Sequence, residues 1–288
     1  MGSETGNDTR PRAPGAVVIT GAAGGIGAKL VHAILDAGFP VFGVDNSIEA
    51  MRGLKEAVSC SSYASSFEGR CLDLTSDGAD NDLLAASVAR FGHVFGLINN
   101  AGLARASFWR DRPTDGPRFW EVELPIWRRF FQINTEAPFR LSSVFARHMI
   151  ERGEGRIINV TTSLESMLNA QMAPYGPSKA AAEALSAIMA NDLKDSGVTV
   201  NVVIPGGPTD TQMIPQKASV PRSSLLPPEV MAPPVVWLLS PEASQTSGKR
   251  FIAWKWDTAV PGSIAATGAG SPIAWTSLAS GSMRRPAV

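Results

Sequence analysis

The segment Thr20-Gly21-Ala22-Ala23-Gly24-Gly25-Ile26-Gly27 follows directly on the apolar run Ala16–Thr20 and opens a helical pattern. A turn of this kind can hold a phosphate. Gly21 permits the tight reversal. Gly25 and Gly27 remove side chains where backbone must approach an anion and where helix must pack on strand. The helix start at Ile26 offers free N–H groups and the positive end of the helix dipole to a pyrophosphate. The spacing is G-x-x-x-G-x-G and not G-x-G-x-x-G. Twenty residues after Gly25, a second apolar run ends in Val44-Asp45-Asn46. A carboxylate at that place accepts from both ribose hydroxyls of an adenosine and repels a 2′-phosphate. No Arg or Lys stands at Ala22, Ala23 or Asn46 to hold such a phosphate, so the pattern selects NAD over NADP. Asp73, in Leu72-Asp73-Leu74, is placed either to reach the adenine edge or to cap its own turn.

These residues need a scaffold of strands ending side by side. Short, mostly β-branched runs over 16–20, 40–45, 70–72, 94–98, 156–161, 198–204 and 250–254 read as strands. Helical spacing covers 25–37, about 47–58, 81–91, about 125–151, 173–196 and 229–239, and Pro125 is suited to starting the long one. Strand–helix alternation demands parallel strands with crossovers on both faces. The fold class expected is therefore α/β, a doubly wound, mostly parallel sheet of about seven strands. Residues 1–14 read as a flexible polar tail, 15–257 as one domain, and 258–288 as an extension. The extension is rich in Ala, Gly, Ser and Thr, a composition that favours disorder. Ile273-Ala274-Trp275 is an odd thing to leave in water, so Trp275 is expected to dock near a pocket mouth, of its own or a neighbouring subunit.

Composition removes other classes of function. Across 288 residues, 26 Lys and Arg balance 26 Asp and Glu, leaving no field of one sign for a nucleic-acid backbone. Apolar runs fall well short of the roughly 18 residues of a membrane span. The first fourteen residues lack the apolar core of a secretory signal. Cys60 and Cys71 cannot build a disulfide framework, and with three scattered histidines no metal site is expected. The expected home is the cytoplasm.

Four more segments follow in order: Asn99-Asn100-Ala101-Gly102; Asn134 within Phe131-Gln132-Ile133-Asn134; Tyr175-Gly176-Pro177-Ser178-Lys179; and Pro205-Gly206-Gly207-Pro208-Thr209-Asp210-Thr211. Together with the glycine turn they resemble the short-chain dehydrogenase/reductase family, over about residues 15–257. The resemblance implies a Rossmann-type catalytic domain and reversible hydride transfer between NAD and a secondary alcohol or ketone. It implies that Tyr175 is the acid–base group and that Lys179, one helical turn on, lowers its pKa and holds the nicotinamide ribose. A free phenol ionises near ~10, and lowering that by ~3 units takes about 4 kcal/mol of differential stabilisation. Asn134 would hold a water in a proton relay. Asn100, Ala101 and Gly102 would line the cofactor with Asp73 and Leu74. Pro205, Gly206 and Thr211 would frame the nicotinamide, with Thr209 as competitor because Gly207 adds a residue to the usual spacing.

The family's substrate-orienting Ser, thirteen residues before the Tyr, is Thr162 here, followed by Ser163. Along a regular strand these two point to opposite faces, which favours Thr162. The family's acidic-Gly-Gly ending after the last strand is replaced by Trp254-Lys255-Trp256-Asp257. Trp120, Met167, Met172 and their apolar neighbours imply an apolar, aromatic or cyclic alcohol as substrate, with reduction of an oxoacyl or cyclic ketone as an alternative. A dinucleotide-sensing protein without chemistry is the alternative of another class. The resemblance also implies a homo-oligomer, a tetramer or a dimer, built on the long helices.

Overall fold

The computed structural model describes residues 15–109, 116–214 and 221–275. Its strands are β1 (Ala16–Thr20), β2 (Val41–Asp45), β3 (Phe67–Cys71), β4 (Val94–Asn99), β5 (Gly155–Val160), β6 (Val198–Ile204), β7 (Lys249–Ile252) and β8 (Gly270–Pro272). They form one sheet in the order β3-β2-β1-β4-β5-β6-β7-β8. The first seven run parallel, and β8 pairs antiparallel with β7. The chain winds outward from β1 through β2 to β3, then returns to add β4 on the other side of β1. That reversal opens a crevice at the carboxyl ends of β1 and β4, where a ligand can enter between diverging connections.

The helices are α1 (Gly25–Asp36), α2 (Ile48–Ser59), α3 (Ala79–Phe91), α4 (Leu124–Phe131), α5 (Ala137–Arg152), α6 (Leu164–Leu168), α7 (Tyr175–Asp192), α8 (Ala232–Leu239) and α9 (Gly262–Ala269). Alternation along β1 divides the core in two. Val17 and Ile19 pack with Leu30 and Ile34 of α1 and with Val235 and Leu238 of α8. Val18 packs on the other face with Leu83 of α3 and with Leu141 and Phe145 of α5. Because both faces are covered, the strands are continuous apolar runs rather than alternating ones.

Three expectations are corrected. The sheet has eight strands, not about seven. β8 reads Gly-Ser-Pro, with no apolar run to announce it, and it forms because β7 leaves an open edge. The long helix expected over 125–151 is three pieces, with a π turn at Gln132–Glu136 between α4 and α5. Pro138 sits at the start of α5 and has no N–H, so the Asn134 carbonyl lacks its usual donor four residues on. The third concerns the extension, which is ordered secondary structure over 262–272. Small residues let α9 pack closely, burying Ala265 and Ala269, and Ile273 is buried against Val202 and Ile204. Trp275 is 43% exposed on its own chain. The expected tail, 1–14, and the end of the extension, 276–288, lie outside the described residues. Among the described residues, no helix is long and apolar enough to cross a membrane.

Candidate active site

β1 delivers the glycine turn to the crevice. Gly21 has φ +62°, and a Cβ there would stand 2.9 Å from Ala101 Cα. A Cβ on Gly27 would stand 2.0 Å from the Gly21 carbonyl oxygen, so only glycine lets α1 come this close to the strand end. Gly24 is the N-cap of α1 and no side chain caps the helix, which leaves first-turn N–H groups for an external acceptor. The β4 end braces the turn. Thr20 Oγ1 accepts from the N–H groups of Asn100 and Ala101 at 3.1 and 3.0 Å. The Asn100 amide donates to the carbonyls of Thr20 and Gly21, each at 3.0 Å. Asp45, at the tip of β2, accepts from Ala23 N at 3.1 Å and from Ser47 N at 3.0 Å. A glycine cradle with open N–H groups, flanked by a carboxylate one strand away, fits a dinucleotide.

α7 starts at Tyr175, which places the phenol and Lys179 on one face above the end of β5. Lys179 is buried, and its Nζ donates to the Val160 carbonyl at 2.9 Å. Burial lowers its ammonium from the ordinary 10.5 to about 8. Burial raises the Tyr175 phenol, and a hydrogen bond with the Thr162 side chain works in the opposite direction. Thr162 follows the end of β5 and is the hydroxyl that bears on the Tyr175 phenol. Ser163 caps α6 instead: it accepts from Ser166 N at 3.0 Å and lies 2.6 Å from Ser166 Oγ. Asn134 is buried in the π turn. Its Oδ1 accepts from Leu103 N at 2.8 Å, while Nδ2 donates to Leu103 O at 3.1 Å and Ser178 Oγ at 3.0 Å. The amide thus clamps the β4 loop to α7. A Cβ on Gly102 would lie 3.1 Å from Lys179 Nζ and 3.3 Å from Asn134 Oδ1, which puts Gly102 between them. Ser178 was not singled out from the sequence; the signal was its place beside Lys179.

After β6 the chain crosses over the glycine turn. A Cβ on Gly25 would meet Thr211 Cγ2 at 2.7 Å. Thr209 is instead buried, and its hydroxyl donates to the Gly207 carbonyl at 3.2 Å. Of the two threonines, Thr211 is the one against the turn. Gly206 has φ +93° beneath Trp254, whose N–H donates to the Pro205 carbonyl at 3.1 Å. Asp73 binds Thr75 N at 2.9 Å and Thr75 Oγ1 at 2.7 Å, and it pairs with Arg129 at 3.5 Å. These bonds hold its carboxyl below the usual carboxylate range. Of the two readings for Asp73, the cap is therefore present in the geometry. Leu74 packs on the core beside it. An open cavity of about 240 Å³ lies beside the first turn of α7, lined by Phe119, Trp120, Met167, Met172 and Pro177 among others. Phe108 and Trp109 stack on Phe130 instead, and Leu168 is 85% exposed.

The sequence profile described as short chain dehydrogenase matches residues 15–220. The chain belongs to the short-chain dehydrogenase family. It is an oxidoreductase of that family. It is 30% identical over 240 residues to the 3-oxoacyl-[acyl-carrier-protein] reductase FabG of Vibrio cholerae, covering 81% of this chain and 92% of the relative. It is 31% identical over 241 residues to the 7alpha-hydroxysteroid dehydrogenase of Escherichia coli, covering 81% and 89%. Among solved structures, the 3-ketoacyl-(acyl-carrier-protein) reductase from Brucella melitensis complexed with NADH shares the fold. The TM-score is 0.69 at 20% identity, over 81% of this chain and 93% of that one. An actinorhodin polyketide ketoreductase with NADPH superposes equally, with a TM-score of 0.69 at 26% identity and the same coverage of 81% and 93%.

The buried ammonium has a consequence for stability. Between pH 8 and 10.5 the unfolded chain holds a proton on Lys179 that the folded chain has lost, so stability contributed by this group rises with pH across that window. Lys179→Met is expected to raise the unfolding free energy at pH 7 by up to about 3 kcal/mol, because it removes a charge held out of water. That gain should fade as pH rises from 8 to 10.5. Urea unfolding at neutral and alkaline pH measures it, and an equal difference at both would contradict the assignment.

Proposed function

We propose that the chain oxidises an apolar, aromatic or cyclic secondary alcohol with NAD, through Tyr175, Lys179 and Thr162. One observation carries this reading: Tyr175 and the buried Lys179 stand one turn apart on α7, and Lys179 Nζ donates to the Val160 carbonyl at the end of β5, two residues before Thr162. When bound, the dinucleotide supplies a hydride acceptor, or a donor in the reverse direction. The chain's own residues manage the oxygen and its proton. Thr162 donates to the substrate oxygen and fixes its place. Tyr175, as phenolate, takes the hydroxyl proton as the alcohol becomes a carbonyl, and it returns that proton in reduction. The Lys179 cation and the positive nicotinamide make the phenolate accessible near neutral pH. The proton leaves along Lys179 toward a water held at Asn134.

Gly21, Gly25, Ile26 and Gly27 hold the pyrophosphate. Asp45 takes the adenosine ribose, and Asn100, Ala101 and Gly102 support the dinucleotide from β4. Pro205, Gly206 and Thr211 close over the nicotinamide. NAD is favoured over NADP because the Asp45 carboxylate would face a 2′-phosphate with Ala22, Ala23 and Asn46 offering no cation. Phe119, Trp120, Met167 and Met172 give the cavity its apolar lining. The relatives named as oxoacyl reductases favour a second reading, reduction of an oxoacyl or cyclic ketone. Turnover of 1-phenylethanol or cyclohexanol with NAD, against acetophenone or an acetoacetyl thioester with NADH, separates the two. Measurable NADH oxidation with any ketone excludes the alternative of a dinucleotide-sensing protein without chemistry. A cytoplasmic home agrees with two free, exposed cysteines, Cys60 and Cys71.

Three outcomes test this reading. Thr162→Val is expected to lower kcat by about 10²–10³ and Thr162→Ser to keep most of it, with Ser163→Ala near normal. The reverse pattern would move the role to Ser163. Isothermal titration of the wild type should give tighter binding of NAD than NADP, and Asp45→Ala with Asn46→Arg should invert that order; equal wild-type affinities would sink the Asp45 argument. Phe139 and Ile150 on α5 and Ile188 on α7 are exposed apolar side chains suited to a subunit contact. A homotetramer, or failing that a dimer, is expected, so light scattering at micromolar concentration should give a multiple of 30.4 kDa rather than that mass itself.

A further inference from the structure

One helical turn beyond Lys179, α7 carries Glu183, which is fully buried. Its carboxylate accepts two hydrogen bonds and faces one cation. Thr161 Oγ1 donates at 2.6 Å, Arg250 Nε of β7 lies at 3.0 Å, and Ala274 N donates at 3.1 Å. Arg250 is itself 4% exposed, and the far end of its guanidinium donates to the main-chain carbonyl of Thr162. Two consecutive residues at the end of β5 are thus held by one ion pair, Thr161 by its hydroxyl and Thr162 by its backbone. The C-terminal segment closes the pair from the other side. Ala274 takes φ +58°, a left-handed conformation that a non-glycine residue adopts only when its surroundings enforce it, and Ile273 beside it is buried.

A buried ion pair is a poor device for stability alone, because apolar residues of similar volume do as well or better. What it supplies is direction. A carboxylate with two hydrogen bonds and an ion-paired guanidinium that reaches the Thr162 carbonyl fix the strand end in a way that apolar packing does not. The C-terminal end of β5 is also where regular strand geometry stops, immediately before Ser163 turns away to cap α6.

We propose that Glu183 and Arg250, sealed by the segment at Ile273 and Ala274, are positioning residues that hold the Thr162 hydroxyl against Tyr175. This rests on the reading of Thr162 as the substrate-orienting group. Neither residue touches substrate; both act through the β5 end. The pair also gives the extension a part in the reaction, since Ala274 supplies one of the carboxylate's two hydrogen bonds.

The test uses the full-length chain carrying Tyr63→Phe, which leaves Tyr175 as its sole tyrosine. Arg250→Lys is the deciding substitution. Its ammonium keeps a charge near Glu183, but a single point donor cannot also span to the Thr162 carbonyl. The first readout needs no substrate: tyrosinate absorbance after stopped-flow pH jumps, taken before alkaline unfolding. The phenol is expected to titrate at higher pH, because the Thr162 hydrogen bond that lowers it is displaced. The second is turnover of 1-phenylethanol with NAD, where kcat should fall about tenfold to a hundredfold with KM for NAD little changed. Adding Arg250→Lys to Thr162→Val should move neither readout further, since both act through one hydroxyl. Glu183→Gln keeps the side-chain shape and should shift both in the same direction by less; it decides the matter if Arg250→Lys does not fold. Should Thr162→Val move both readouts while Arg250→Lys and Glu183→Gln, folded, move neither, the positioning role is overturned and the Thr162 reading stands. Should Thr162→Val itself move neither, both fall together.

Discussion

The Lys179 ammonium is held out of water and donates to a main-chain carbonyl, Val160, rather than to a carboxylate. An amine in that setting loses most of the solvation that favours its charged form, which is why its pKa falls to about 8. Such a group persists only where neighbouring elements fix it from several sides. The sheet register sets the carbonyl at the end of β5, α7 sets the amine, and Gly102 leaves room between the amine and Asn134. A cation free of a full carboxylate partner can spend its field on the phenol one helical turn away. Pairing it tightly with an acidic side chain would make it more comfortable and less useful.

The polar interior around this group follows the same economy of position. Asn99 of β4 donates to Asn159 of β5 at 2.8 Å and to Ser142 of α5 at 3.1 Å, and Asn159 donates to Ser186 of α7 at 2.8 Å. These bonds run across neighbouring strands into two helices, and apolar contact alone would not set their register so tightly. The π turn belongs to the same set. By widening α4–α5 at Asn134 it allows one buried amide to hold both the β4 loop and Ser178 of α7. The catalytic candidates therefore stand on three elements whose relative positions are fixed by hydrogen bonds.

The cofactor side is built differently. There the work is done by main chain and by missing side chains: glycines that admit close approach, and N–H groups left open at the start of α1. Asp45 has two tasks that do not conflict. Its carboxylate accepts from the glycine turn and from its own strand exit, so it is already oriented before any ribose arrives. Rigid backbone on one side and a hydrogen-bonded polar core on the other leave variation to the loops that line the cavity. That division agrees with a family whose members share the fold and differ in what they reduce or oxidise.

The sequence by itself determined the doubly wound sheet, the glycine turn, the acidic tip of β2 and the pairing of Tyr175 with Lys179. Each is local, written either as a periodicity or as a spacing within one element. It favoured Thr162 over Ser163 by its place thirteen residues before Tyr175, but only on the condition that the strand runs on regularly. The fold separated them by starting α6 at the next residue and using Ser163 as its cap. It likewise turned Thr211 toward Gly25 and Thr209 inward, which the extra Gly207 had made ambiguous. The eighth strand and the ordered extension were illegible because Gly-Ser-Pro carries no strand signal and Ala-Gly-Thr runs carry little helical one. Their order comes from contacts with an open sheet edge far away in sequence. Glu183 and Arg250 show the limit most plainly. Alone, one is an acidic residue in an alanine-rich helix and the other a basic residue in a short strand. Only the packing of α7 against the β5 end and β7 removes water from both and gives their charges a single partner each to face.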